Sequence, residues 1–208
     1  MKTRTSLLPR IINGVSIAIF LCLISAYLLN GLGDAPIRAL QLWSGRIAFL
    51  FLLASLTITP LRLVTGFSII IPLRKTFGLN AFYYAFFHLI VFLVLNYQLK
   101  WVAIVDAFTY QRFILPGAFA FLILLVLAIT TINPVKRAVK KIWRKIHLWV
   151  YPANVLVLLH YTWIANGTFP PHEKPKVLPL LLAFYLALLF VLRLQIVKMP
   201  IIRWRQRR

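Results

Sequence analysis

A chain of 208 residues that is 62% hydrophobic and only 13% charged lacks the surface charge of a soluble domain of that length, which is about 25%. Several apolar runs approach the ~20 residues that a helix needs to cross a bilayer, which excludes an ordinary soluble globule and points to an integral membrane protein. The formal net charge of +21 does not mark a nucleic-acid binder, because Lys and Arg cluster in the gaps between apolar runs, as topology signals do.

Six transmembrane helices are predicted, at about 11–29, 45–63, 79–97, 113–132, 147–165 and 177–197, forming one all-α six-helix bundle over residues 1–208. The first run follows Lys2, Arg4 and Arg10 and ends in Leu28-Leu29-Asn30-Gly31. That ending lacks the small residues of a signal-peptide cleavage site, so the run reads as a retained helix. Cys22 lies alone within it, which rules out an intrachain disulfide. Gly31-Leu32-Gly33-Asp34 follows a membrane helix rather than a strand and lacks a third glycine, so it is no dinucleotide fingerprint. Gly45, opening the second helix, lets a backbone or ligand approach closely.

Lys and Arg number 18 in the N-terminal, second, fourth and C-terminal flanks, against 6 in the others. The positive-inside rule therefore places both termini in the cytoplasm. Asp34, Asp106 and Glu173 all fall on the outer side, outside the apolar runs.

Three of the four histidines lie within or at the edge of the predicted spans. His88 stands about halfway along the third, His147 at the cytoplasmic start of the fifth, and His160 toward its far end. Ionisable side chains persist in hydrocarbon where they meet a partner or serve a function. Imidazole without buried carboxylate is a poor proton relay but a good haem-ligand set. His147 and His160 are thirteen residues apart, about 20 Å along a helix and roughly 140° apart in direction. Pro152 lies between them. Either a proline kink brings both into one core, or one of them alone binds iron. His172, in an outer polar loop, is expected to be solvated.

Trp143 and Tyr151 flank His147 at i−4 and i+4, on one helical face that would suit a flat porphyrin or ordinary aromatic packing. Lys136, Arg137, Lys140, Lys141, Arg144 and Lys145 precede His147. They hold the loop inside, and they also offer partners for haem propionates or a flavin phosphate. Arg74 and Lys75 approach the same predicted face, which makes a two-sided anion site. No P-loop, zinc-spaced cluster, nucleophile elbow or catalytic carboxylate pair is present. A histidine-relay transporter would call for buried carboxylates or an internal repeat, and neither is found; an assembly subunit without a cofactor is a further non-redox class.

The ordered motifs resemble the MsrQ or YedZ family, the haem-binding membrane subunit of the bacterial periplasmic methionine-sulfoxide reductase system, within the wider ferric-reductase-like transmembrane group. The resemblance runs over about residues 30–165. It rests on Gly31-Leu32-Gly33-Asp34 with Pro36, Ser44-Gly45-Arg46, Ile58-Thr59-Pro60-Leu61, and Leu73-Arg74-Lys75 with Phe77-Gly78-Leu79. It continues through His88 to Trp143-x-x-Ile146-His147-x-x-x-Tyr151 and His160-Tyr161-x-Trp163. Ile146 stands where the family usually has Leu.

The resemblance implies a b-type haem between the third and fifth helices, with His88 and His147 as the preferred axial pair and His160 as the alternative. It also implies an FMN near the cytoplasmic side, for which no sequence motif is visible. The wider group often carries two histidines on each of those helices, but the positions thirteen and fourteen beyond His88 are Trp101 and Val102, so a single haem is expected. Electrons would enter from a cytoplasmic NAD(P)H-flavin reductase or the quinone pool and leave to a periplasmic molybdopterin enzyme that repairs oxidised methionine in proteins. The implied location is the bacterial inner membrane, and the implied role is an electron-transfer subunit rather than a catalytic one. A ferric or other metal reductase with a different acceptor is the alternative within the group.

On this reading, replacing His88 or His147 with Ala abolishes haem retention, whereas His172→Ala leaves it intact. Haem content of the purified variants checks it, and full occupancy in both of the first two would refute the pairing.

Overall fold

The structure is a computed structural model that describes residues 2–166, 177–194, 197 and 199–200. Its regular elements are all helical: α1 (Lys2–Leu28), α2 (Pro36–Thr65), α3 (Leu73–Ile90), α4 (Trp101–Tyr110), α5 (Ile114–Ile129), α6 (Asn133–Ala138), α7 (Trp143–Ile146), α8 (Val150–Asn166) and α9 (Val177–Val191). A 3₁₀ turn at Ser68–Ile70 precedes α3, a π-helical turn at Val91–Asn96 extends it, and a 3₁₀ turn at His147–Trp149 joins α7 to α8. The protein is thus an all-α, multi-pass membrane protein.

Four continuous stretches are long and apolar enough to cross a bilayer: Leu7–Leu28, Pro36–Thr65, Ser68–Asn96 and Trp143–Ala165. They overlap the first, second, third and fifth expected spans, but the second and third begin at Pro36 and Ser68 rather than at about 45 and 79, so Gly45 lies within α2 instead of opening it. The fourth is α5, and α4 before it is bent away by 109°. The sixth corresponds to α9, a shorter apolar helix of 15 residues. The sequence reading had placed a connecting segment, with Asp106 in it, where α4 stands. Its helix buries Ile104 and Ala107, three residues apart, and turns Asp106 outward with Trp101, Val102, Val105 and Tyr110. An i, i+3 pair is enough to give so short a helix an inner face. His172, Glu173 and most C-terminal cations lie outside the described residues.

The chain divides into two compact units, residues 1–84 with 184–208, and residues 85–183. The first is held by polar contacts between apolar helices, which hydrocarbon leaves no water to replace. Asn80 donates to Asn13 Oδ1 at 2.9 Å, and the Tyr84 hydroxyl to the Ser16 carbonyl at 2.6 Å, tying α3 to α1. Ser55 donates to the Arg74 carbonyl at 2.9 Å, and Thr57 meets the Tyr185 hydroxyl at 2.7 Å. Pro60, inside α2, has no N–H to offer the carbonyl four residues back, that of Leu56. The Arg193 guanidinium donates to that oxygen instead. Gly66, at φ 80°, closes α2 with its N–H on the Arg62 carbonyl.

The second unit is built on an antiparallel pairing of α5 with α8. His160 contacts Phe113 and Gly117 at one end, and Trp143, just before α8, bonds to the Thr130 carbonyl at the other. In that register Ala153 comes level with Ala120, and both are almost fully buried. Small residues there let the two backbones approach, the usual basis of helix association in lipid. Ala153→Leu should therefore lower stability by about 1–3 kcal/mol through overpacking. Thermal unfolding in detergent checks this, and an unchanged midpoint would refute the close approach.

Candidate functional site

His160 is the best-fixed of the histidines. Its Nδ1 lies 2.6 Å from the Phe113 carbonyl oxygen, and its ring centre 5.9 Å from the Phe113 ring. Phe113 is the N-cap of α5, so its carbonyl is the first acceptor of that helix and lies at its open end, where the imidazole reaches the second lone pair. With Nδ1–H donating to that oxygen, the ring's Nε2 is left as the basic nitrogen. This is the arrangement that orients most metal-ligating histidines and sets their tautomer.

His88 lies near the end of α3, half-buried, three residues before the helix widens into the π-helical turn. Such turns recur at functional sites because one extra residue re-aims the side chains around it. The ring centres of His88 and His160 stand 6.2 Å apart, with planes at 88°. Two imidazoles holding one first-row metal between them at about 2.0–2.1 Å, each ring centre roughly 1.2 Å behind its nitrogen, would stand up to about 6.4 Å apart, and nearer about 5 Å at a tetrahedral ion. The observed separation lies near the upper value.

His147 is organised differently. Its ring stacks on Trp143 at 4.0 Å and 29°, and its Nδ1 lies 3.1 Å from the Trp143 carbonyl. Trp143 in turn donates to the Thr130 carbonyl at 3.1 Å and has the Lys136 ammonium 5.1 Å from its ring centre. The expected aromatic neighbour of His147 is thus in place; Tyr151 is half-buried further along. The helix does change form between the two histidines, at the 3₁₀ turn His147–Trp149. Pro152 accounts for it, because it leaves the Leu148 carbonyl without its helical donor. His147 and His160 nevertheless remain about 20 Å apart along the helix, and it is His160 that stands beside His88.

Arg144 is exposed on α7. Arg74 and Lys75 belong to the first unit, exposed on the opening turns of α3. Among the described residues there is no group of three or more His, Cys, Asp and Glu that would hold a metal ion. A pair of histidines suits a metal whose other ligands come from a macrocycle better than a bare ion, which commonly needs four.

Three residues of this neighbourhood were not singled out from the sequence. Phe113 supplies the carbonyl for His160, an assignment that depends on tertiary packing. Asn154 is fully buried on α8; its Nδ2 donates to the Val150 carbonyl, while its Oδ1 meets no donor. A buried acceptor of this kind awaits a water or a ligand donor. Gly117 lies against the His160 ring. Its signal was a glycine inside an apolar helix, a position where it is usually kept for packing.

A family model described as "Ferric reductase like transmembrane component" matches residues 44–158. The chain is 36% identical over 138 residues to the protein-methionine-sulfoxide reductase heme-binding subunit MsrQ of Xanthomonas oryzae pv. oryzae (strain MAFF 311018), covering 66% of this chain and 63% of the relative. The MsrQ protein of Xanthomonas euvesicatoria pv. vesicatoria (strain 85-10) matches at the same identity and coverage. The magnetosome protein MamZ of Paramagnetospirillum magneticum (strain AMB-1) is 37% identical over 145 residues, 69% of this chain but 22% of that protein. The chain therefore spans less than two thirds of the length of these curated relatives. No solved structure matches it significantly. The matched segment covers more than half of the chain and contains α5 and both His88 and His147, and the chain belongs to the ferric-reductase-like transmembrane family, within which it is similar to the MsrQ heme-binding subunits.

Proposed function

We propose that this protein is a haem-bearing electron-transfer subunit of the membrane, with His88 and His160 as the axial ligands of one b-type haem. The observation that carries the reading is the His88–His160 pair, 6.2 Å apart, with the far nitrogen of His160 engaged by the Phe113 carbonyl. When bound, the haem supplies one-electron oxidation and reduction. The chain's residues would hold and orient it: His160 is fixed through Nδ1, and His88 sits just before the π-helical turn. This reading takes His160, the alternative of the sequence analysis, in place of His147 as the partner of His88. His147 becomes part of the Trp143–Lys136 stack.

The rest of the reading follows the MsrQ relatives. FMN would draw its phosphate partners from exposed cations, either Arg74 and Lys75 of the first unit or Arg144 of the second. A cytoplasmic flavin reductase or the quinone pool would supply electrons, and a periplasmic molybdopterin-dependent sulfoxide reductase would receive them for repair of oxidised methionine. Both termini would face the cytoplasm, in a bacterial inner membrane. A second reading, a metal reductase with the same haem and another acceptor, draws on the family's description and on the similarity to a magnetosome protein.

Haem content and the reduced-minus-oxidised spectrum of purified variants test the ligand pair. His88→Ala and His160→Ala should each lose the haem or its six-coordinate low-spin spectrum, whereas His147→Ala should keep both. Loss with His147→Ala and retention with His160→Ala would restore the His88–His147 pair. Reoxidation of the reduced protein by a methionine-sulfoxide reductase partner, compared with ferric citrate, separates the two acceptors.

A further inference from the structure

We infer that Gly117 is a positioning residue for the redox centre: the side chain it lacks is the space in which the His160 imidazole lies, so a β-carbon there would force that ring out of its plane. The spectroscopic part of the inference rests on His160 being an iron ligand, as proposed above; the steric part does not.

A β-carbon built on Gly117 would stand 2.7 Å from His160 Nδ1, 2.8 Å from Cε1 and 3.2 Å from Cγ. Three atoms of one rigid ring are thus met at once, so rotating a flexible tip cannot relieve the clash. The ring also has little freedom to retreat. Nδ1 is tied to the Phe113 carbonyl at 2.6 Å, and the Phe113 and His88 rings stand beside it at 5.9 and 6.2 Å. Gly117 lies four residues beyond Phe113, one turn along α5, so one helical face both anchors the imidazole and makes room for it. A glycine kept in mid-helix has an alternative explanation as a neutral accident, and Gly14 of α1 is such a case: nothing lies within 4 Å of its β-carbon position. Gly117 differs from it by the ring it touches.

The near-perpendicular ring planes, at 88°, give the site its consequence. When two axial imidazoles lie crosswise, their π interactions fall about equally on the two iron d orbitals of matching symmetry. Those orbitals stay close in energy, and the low-spin ferric EPR signal is strongly anisotropic. Turning one ring toward parallel separates the orbitals and makes the signal rhombic. Gly117, by fixing the His160 plane, holds the crossed arrangement.

Helix propensity predicts the opposite sign for the substitution, since Ala in place of a mid-helix Gly is usually favourable by about 1 kcal/mol. The test is a double-substitution cycle on the full purified chain, combining Gly117→Ala with His160→Ala and reading thermal unfolding, haem content and the EPR signal. Gly117→Ala is expected to lower the melting temperature, to weaken haem binding about 10- to 100-fold, and to shift the remaining signal from strongly anisotropic toward rhombic. In the His160→Ala background the same substitution should be neutral or stabilising, and Gly14→Ala should leave haem content and EPR signal unchanged without lowering the melting temperature. The inference falls if Gly117→Ala preserves melting, haem content and EPR signal, or if it destabilises equally without the His160 ring. Should Gly117→Ala alone fail to accumulate in membranes, recovery in the double variant supports the clash and continued failure overturns it. A His160→Ala chain that keeps its full haem and spectrum would instead overturn the ligand pair, while a non-additive melting cycle would still support the steric role of Gly117.

Discussion

A polar atom inside hydrocarbon has to find its partner within the protein, and this constraint organises both units. Proline makes it visible. Pro60 leaves the Leu56 carbonyl without a helical donor, and a guanidinium from the end of the chain takes its place. Pro152 leaves the Leu148 carbonyl in the same position, and the chain answers with a 3₁₀ turn. The carbonyl of Phe113, the first acceptor of α5 at the bend after α4, has its second lone pair met by the imidazole of His160. The same rule that holds the helices together therefore also orients a buried imidazole.

Interruptions in the helices fall where the histidines are. His88 precedes a π-helical turn, His147 begins a 3₁₀ turn, and His160 faces the first turn of a helix that follows a sharp bend. The middles of α1 and α2, by contrast, use their polar groups to bind neighbouring helices, through Asn13 and the Ser16 carbonyl in α1 and through Ser55 and Thr57 in α2.

How far the sequence could be read follows from the same physics. Long apolar runs announce themselves by composition, which is why α1, α2, α3, α5 and α8 fall where hydropathy puts them. The helix of ten residues at α4 was taken for a connection because its inner face is only Ile104 and Ala107, too short a pattern to register. The histidines could be listed from the sequence but not paired. On an ideal helix His147 and His160 point in different directions, and nothing local says which of them meets α3. In the fold His160 stands beside His88, bonded to the Phe113 carbonyl and lying against Gly117, a backbone oxygen and an absent side chain that no residue motif advertises. The six cations before His147 were read as a possible anion site, and they are exposed along α6, α7 and the segment between them. Arg193, counted only as a topology charge, proved to be spent inside the fold.

The end of α3 carries a consequence for how many centres such a bundle can hold. After the π-helical turn the helix stops at Asn96, and Gln98 and Leu99 take positive φ values of 51° and 57° that turn the chain aside. Trp101 and Val102, where a second ligand would be sought by counting residues from His88, already belong to another helix with another axis. A histidine introduced there would have the right spacing in sequence and the wrong axis in space. Where the backbone stops rising therefore decides what the end of α3 can present, and changing that would require rebuilding a helix rather than exchanging a residue.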